Sequence, residues 1–324
     1  MNFKEINHAT GAVEGYCFIK TAEKRTTAKG VPYLDLVLTD SSGEISAKLW
    51  DYKELIHGWI KPNTLAKVRG TLSVFNDADQ LRVEKIRALG EADDIKPEDF
   101  VPSAPYSGKD MLSAVVDIAE NFENEELKKL VLAVINEYSE KLLYWPAAFK
   151  LHHAVRCGLL FHTLSIIRMA ERVCEIYPFV DRELLLSGVM LHDIAKTEEF
   201  AVTDAGIATG YTTDGTLVGH LVRGAINIDR IGRENGINAE TLTLIEHMLI
   251  SHHGEPEFGA AVRPMFIEAE ILSELDMLDA RIYEMAAAEE STAPGEFSQR
   301  LWALDNRKLY NHGRKEIKPD ARLI

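Results

Sequence analysis

The spacing of apolar residues changes once along this chain, and that change limits the folds open to it. Between residues 12 and 88 apolar and polar side chains alternate in short runs, the period of a half-buried strand. From Lys109 onward apolar residues recur every three or four positions, the period of a helix packed on one face. The first region holds five runs: GAVEGYCFIK, YLDLVLTD, EISAKLW, TLAKVRGTLSVF and QLRVEKIRAL. Asp40-Ser41-Ser42-Gly43 and Asn76-Asp77-Ala78-Asp79 supply turn residues after the second and fourth runs. Five short strands predict a small barrel, with an OB-fold as first choice and an SH3-like barrel as its competitor.

Residues 91–108, EADDIKPEDFVPSAPYSG, are rich in proline and acid and have no period, which predicts a linker. The expected fold class is thus mixed α and β: a five-stranded barrel over 1–90, the linker, and an all-α bundle over 109–306. A basic tail over 307–324 carries Arg307, Lys308, Arg314, Lys315, Lys318 and Arg322.

A net charge of −15 normally counts against a nucleic-acid partner, because phosphates repel an acidic surface. The first 90 residues, however, hold 13 Lys and Arg against 11 Asp and Glu, so the acid is concentrated further along. A phosphate-bearing partner could meet the barrel and tail while the acidic middle holds cations. Cys17, Cys157 and Cys174 are odd in number and lack a CxxC spacing, which argues against both a disulfide framework and a thiolate zinc site. The N-terminus has no apolar signal region and no stretch is long enough for a membrane span, so a cytoplasmic location is expected.

Alternation assigns faces in the barrel. With Val13, Cys17, Ile19, Leu34, Leu36, Leu38, Ile45, Ala47 and Leu49 inside, Tyr16, Phe18, Lys20, Tyr33, Lys48 and Trp50 share the outer face. Rings interleaved with ammonium groups suit a single-stranded nucleic acid, whose bases stack while lysines track phosphates. Packing against the second domain or another subunit is the alternative use of the same rings.

Eight of the eleven histidines lie between His152 and His253. His162, the pair His192-Asp193, His220 and the pair His252-His253 fall on or beside helical segments, followed by Asp276 and Asp279 one turn apart. A lone histidine on an apolar helix face is usually a hydrogen-bonded core residue. Several on separate helices, with an aspartate that can bridge two ions, are what a dinuclear phosphohydrolase site needs. His152 and His153 open the helix leading to His162 and are candidates for reaching a substrate phosphate. His247 is expected to be a packing residue.

The ordered runs LHHAVRCGLLFHT, LLLSGVMLHDIAKTEEF, YTTDGTLVGHL, HMLISHHGEPEFG and EAEILSELDMLDA resemble the HD-domain superfamily, and within it the YhaM-type 3′-5′ exoribonucleases. The likeness spans residues 150–285, and a barrel ahead of it fits that family's architecture. It implies two divalent metal ions, Mn²⁺ first and Co²⁺ or Fe²⁺ next. His162, His192, Asp193 and Asp276 would hold one ion, with Asp193 bridging to a second held by His220 and His252. Asp279 would support them, His253 would ligate or touch the scissile phosphate, and Lys196 would neutralise a phosphate oxygen. The implied substrate is single-stranded RNA, with single-stranded DNA as an extension, cut from its 3′ end by a homo-oligomer. Two departures stand out: HDIAK where HDIGK is commoner, and EFGAAVRP where a Ser-Pro pair usually follows the FG. Hydrolysis of a nucleotide or signalling dinucleotide, and non-catalytic nucleic-acid binding, are the competing functions.

Overall fold

In a computed structural model the described residues are 3, 5–40, 42–75, 78–90, 93, 95, 100–149 and 153–315. His152, the turn residues Ser41, Asn76 and Asp77, and the tail residues Lys318 and Arg322 lie outside them. The chain divides into two compact units, Met1–Ser103 and Ala104–Ile324, so the boundary falls inside the segment expected to be a linker.

The first unit is a closed five-stranded barrel. Its strands are β1 (Ala12–Thr26), β2 (Pro32–Thr39), β3 (Glu44–Leu49), β4 (Thr64–Phe75) and β5 (Ala78–Ala88), with a short helix α1 (Glu54–His57) between β3 and β4. They close in the order β1-β2-β3-β5-β4, with β3 and β5 parallel and the other pairs antiparallel. That order, with a helix between β3 and β4, is an OB-fold and excludes the SH3-like alternative.

Strand β1 runs six residues past the expected end at Lys20, because it pairs with β4 through its first half and β2 through its second. A register shift between Ile19 and Thr21 bends it from one partner to the other. Cys17, Ile19, Leu34, Leu36, Leu38, Ala47 and Leu81 fill the interior, and Val13 is only half-buried at its margin. Each fully buried aliphatic side chain contributes roughly 1.5–3 kcal/mol. The Asp40 carboxylate closes the β2–β3 turn by accepting from the backbone N–H groups of Ser42 and Gly43.

The second unit is helical. Its helices are α2 (Gly108–Glu120), α3 (Glu125–Leu142), α4 (Gly158–Ile176), α5 (Arg182–Leu191), α6 (Lys196–Glu199), α7 (Thr213–Leu217), α8 (Gly219–Glu234), α9 (Ala239–Ser251) and α10 (Ile267–Glu290). Ser107, Asn124, Asp181, Thr212 and Asn238 start α2, α3, α5, α7 and α9, each accepting a hydrogen bond from the first turn. Helix α5 is buried without interruption from Leu184 to Leu191, which makes it the central element. Its Leu185 and Val189 join Leu130, Ile166, Ile245 and Leu272 in one core. The insertion after α6 is a hairpin, β6 (Phe200–Val202) with β7 (Ala208–Tyr211), pairing Phe200 with Tyr211. After α10 the chain packs Leu304 and Leu309 against Ala288, so part of the expected basic tail is held by an apolar anchor.

Candidate metal centre and nucleic-acid surface

Five helices bring their histidines and aspartates to one place. His162 projects from the second turn of α4, and His192 and Asp193 follow the last turn of α5. His220 opens α8, His252 and His253 follow α9, and Asp276 and Asp279 lie one turn apart on α10. Two glycines fix the approaches. Gly219, the first residue of α8, has φ +75°, so the chain can turn sharply from α7 and place His220 next. Gly254 has φ +74°, and a Cβ there would come within 2.9 Å of Ser273 Oγ on α10.

Each imidazole is anchored through one nitrogen. His192 Nδ1 lies 2.8 Å from the Val189 carbonyl, and His252 Nδ1 lies 2.8 Å from the Leu249 carbonyl. His220 Nδ1 is 3.0 Å from Glu199 Oε1, His162 Nδ1 is 2.8 Å from Asp279 Oδ2, and His253 Nδ1 is 2.9 Å from the Phe258 carbonyl. Every partner is an acceptor, so Nδ1 carries a proton and Nε2 is the atom left to face the centre.

Those Nε2 atoms divide between the two oxygens of Asp193. Oδ2 lies 3.3 Å from His192 Nε2 and 3.7 Å from His162 Nε2. Oδ1 lies 3.4 Å from His220 Nε2 and 3.7 Å from His252 Nε2. Asp276 Oδ1 completes the first side at 3.0 Å from His162 Nε2 and 3.9 Å from His192 Nε2. Asp193 Oδ1 and the Nε2 atoms of His192, His220 and His252 are buried without a hydrogen-bond partner among the described residues. Such atoms cost about 1–3 kcal/mol each unless something satisfies them. Borderline nitrogen donors and a hard carboxylate, all converging, fit divalent transition-metal ions. His220, His252 and His253 form one compact donor group, and His162, His192 and Asp193 another.

Charge is tuned to match. Burial pushes the Asp193 carboxyl up, but Lys196, His192 and His220 outweigh it and hold the group well below the usual carboxylate range. Burial, aided by His192 and His253, keeps His252 neutral. Burial also opposes charge on His162, yet Asp276 and Asp279 carry it up to about 10. Metal at Nε2 of His162 would therefore displace a proton.

The remaining expected residues fall as follows. Lys196 is 8% exposed, and its ammonium sits 2.6 Å from Asp193 Oδ2 rather than in solvent. His153, expected to approach a phosphate, is 2% exposed. Its Nε2 is 2.7 Å from Asp279 Oδ2 and its ring packs on Tyr283 at 4.1 Å, so it positions Asp279 and has no free face for substrate. His247 accepts from the Met265 N–H at 3.0 Å, in keeping with a packing role.

Two residues were missed, Glu199 and Tyr283. A buried histidine ligand needs an acceptor for its second nitrogen, which is a usable signal. The Glu199–His220 pairing spans 21 residues, however, and only the fold makes it.

On the barrel, Tyr33 and Trp50 stack with ring centroids 4.6 Å apart. Lys48 Nζ lies 5.1 Å over Tyr33 and 5.8 Å over Trp50, held by Asp35 at 3.2 Å. Lys20 is exposed and paired with Glu44. Phe18 departs from expectation: alternation puts it outside, yet it is only 4% exposed and stands apart from the barrel core. Tyr16 beside it is also partly covered within the same unit, donating to Asp93 Oδ1 at 2.7 Å and meeting the Phe100 ring edge-on. Of the residues expected on the outer face, Tyr33, Lys48 and Trp50 form one cluster of rings and ammonium group.

Residues 159–281 match the HD domain family profile. Over 298 residues, 92% of this chain and 94% of the relative, the sequence is 37% identical to 3′-5′ exoribonuclease YhaM of Bacillus licheniformis. It is 35% identical over 299 residues to the enzyme of that name from Listeria innocua, covering 92% of this chain and 95% of that one. The chain belongs to the YhaM family. Like the YhaM exoribonucleases it is a hydrolase with an HD domain, and the HD domain makes it dependent on divalent metal. In the barrel region it is similar to the protein PriB of Ralstonia solanacearum, with 16% identity, 25% of this chain and 98% of that chain covered, and a TM-score of 0.22. Among the described residues no helix is long and apolar enough to cross a membrane.

Proposed function

We propose that this chain removes nucleotides one at a time from the 3′ end of single-stranded RNA, releasing nucleoside 5′-monophosphates. In this proposal two divalent cations, Mn²⁺ first and Co²⁺ or Fe²⁺ next, share Asp193. The observation that carries it is the division of the Asp193 oxygens between His162 with His192 and His220 with His252. A single-ion site has no use for a carboxylate facing two histidine pairs.

His162, His192, Asp193 and Asp276 would hold one cation; Asp193, His220 and His252 would hold the other. Bound there, the pair supplies activated water and charge neutralisation at the phosphodiester. Glu199 and Asp279 keep the imidazoles of His220 and His162 turned inward, so the donors need no rearrangement when substrate arrives. Lys196 keeps Asp193 ionised and brings a positive charge to within reach of a non-bridging phosphate oxygen. His253, held by the Phe258 carbonyl, turns its other nitrogen towards His220 and the same space. Tyr33, Trp50 and Lys48 would carry upstream bases and phosphates, a stack contributing roughly 1–3 kcal/mol.

The test is degradation of a 5′-labelled single-stranded RNA with Mn²⁺, run beside the same DNA sequence. A ladder shortening from the 3′ end, absent with EDTA and with Asp193→Ala, is the expected result. Wild-type protein that leaves the RNA intact in Mn²⁺ would overturn the proposal and direct attention to nucleotides and cyclic dinucleotides.

A further inference from the structure

A cavity of about 240 Å³ opens along α10, walled by Phe258, Met277, Ala280, Arg281, Glu284 and Asp305. It is smaller than the roughly 300–1,000 Å³ of a pocket for a drug-sized ligand, so it suits a single flat ring system. Two relationships place it beside the metal centre. The Phe258 carbonyl is the acceptor that holds His253 Nδ1 at 2.9 Å. Along α10, at about 100° per residue, Ala280, Glu284, Met277 and Arg281 stand about 40°, 80°, 100° and 140° round from Asp276. Asp279 lies about 60° round in the opposite sense. The α10 wall of the cavity therefore follows Asp276 round the helix on the side away from Asp279.

Its walls are not explained by the fold. The Phe258 ring is 62% exposed although it adjoins an apolar wall of Met277 and Ala280. Among the described residues neither the Arg281 guanidinium nor the half-buried Glu284 carboxylate has a hydrogen-bond or ion-pair partner. The cavity thus offers a stacking face, a donor and an acceptor, as a nucleobase requires. A nucleotide leaving from a 3′ end carries the scissile phosphorus on its own 5′ oxygen, so its base lies one ribose away from the metal centre.

We propose that this cavity receives the base of the 3′-terminal nucleotide, with Phe258 stacking on it and Arg281 and Glu284 facing its polar edge. The assignment rests on the exonuclease activity proposed above. It makes the cavity the grip that holds each terminal nucleotide while its phosphate is cut, independent of the upstream rings on the barrel.

The experiment compares two 5′-labelled RNAs in Mn²⁺, identical except that one ends in an abasic 3′-terminal ribose. Wild-type protein is expected to cleave the ordinary end roughly 5- to 150-fold faster in kcat/KM, the range set by loss of one stacked base. Phe258→Ala keeps the backbone carbonyl that holds His253, so it should bind Mn²⁺ as wild type does. It should also lose most of the discrimination, its rate on the ordinary end falling towards the wild-type abasic rate. Phe258→Trp restores a stacking face and should recover the discrimination, which a merely structural defect would not. Equal wild-type rates on the two ends, or full discrimination retained by Phe258→Ala, would overturn the base pocket while leaving the exonuclease intact. A wild-type protein that shortens neither RNA overturns both.

Discussion

Lys196 Nζ lies 2.6 Å from Asp193 Oδ2, and both side chains are buried. Burial works against the ammonium charge, but Asp193, Asp276 and Glu199 outweigh it and lift the group above its ordinary range. In metal-free protein Lys196 is thus the nearest countercharge to a carboxylate that burial would otherwise neutralise. Breaking a buried pair by removing one partner typically costs about 3–5 kcal/mol. Lys196→Met should lower the melting temperature strongly in EDTA, and Mn²⁺ should return most of the loss because the cations take over the countercharge. Thermal unfolding with and without Mn²⁺ checks this; an equal loss in both conditions would show that Lys196 acts on packing alone.

Glu199 has no metal-facing role in this geometry and acts through the His220 ring. Removing the acceptor behind a ligating histidine costs about 10- to 100-fold in metal affinity. Glu199→Ala should raise the Mn²⁺ concentration for half-maximal RNA hydrolysis by that factor and leave kcat at saturating Mn²⁺ near wild type. A lowered kcat with unchanged Mn²⁺ dependence would place Glu199 on the substrate instead.

The histidines and aspartates were legible because metal chemistry allows few residue types and the chain orders them on separate helices. Their supports were not. Glu199 looks in sequence like any acid at the end of a short helix, and its partner is 21 residues away. His153 sits beside two motifs and invites a substrate role, but the fold turns its ring onto Asp279 and Tyr283. In the barrel, alternation sorted the interior correctly from Leu34 to Leu49. It failed at Phe18 because alternation reports which side of a sheet a residue faces, not whether another segment covers that side. Nothing local in GAVEGYCFIK announces that covering.

That difference separates two aromatics of the barrel. Phe18→Ala should destabilise the protein by about 3–5 kcal/mol, the usual cost of deleting a buried ring. Trp50 is 37% exposed and stacked on Tyr33, so Trp50→Ala should cost less stability than Phe18→Ala, about 0.5–1.5 kcal/mol for the lost stack, and weaken single-stranded RNA binding by roughly 1–3 kcal/mol. Urea unfolding together with fluorescence anisotropy on a labelled RNA, using metal-free protein to prevent cleavage, distinguishes the two. Unchanged RNA affinity in Trp50→Ala would remove the barrel rings from substrate binding.

Cys17 provides a pH-dependent signature of the barrel interior. Burial pushes its thiol from 9.0 up to about 12, with Asp40 adding to the rise. The unfolded chain releases this proton near pH 9, whereas the fold keeps it until about pH 12. Above pH 9 the unfolded state therefore binds fewer protons than the native state, and stability falls as pH rises, by about 1.4 kcal/mol per unit. Cys17→Ala has no thiol to titrate. At pH 8 it should be the less stable protein, because it leaves a small cavity. Between pH 9 and 11 the difference should shift in favour of Cys17→Ala by about 1.4 kcal/mol per unit, measured by urea unfolding. A difference that stays constant across that window would mean that the thiol is solvated in the folded barrel, contrary to its 0% exposure.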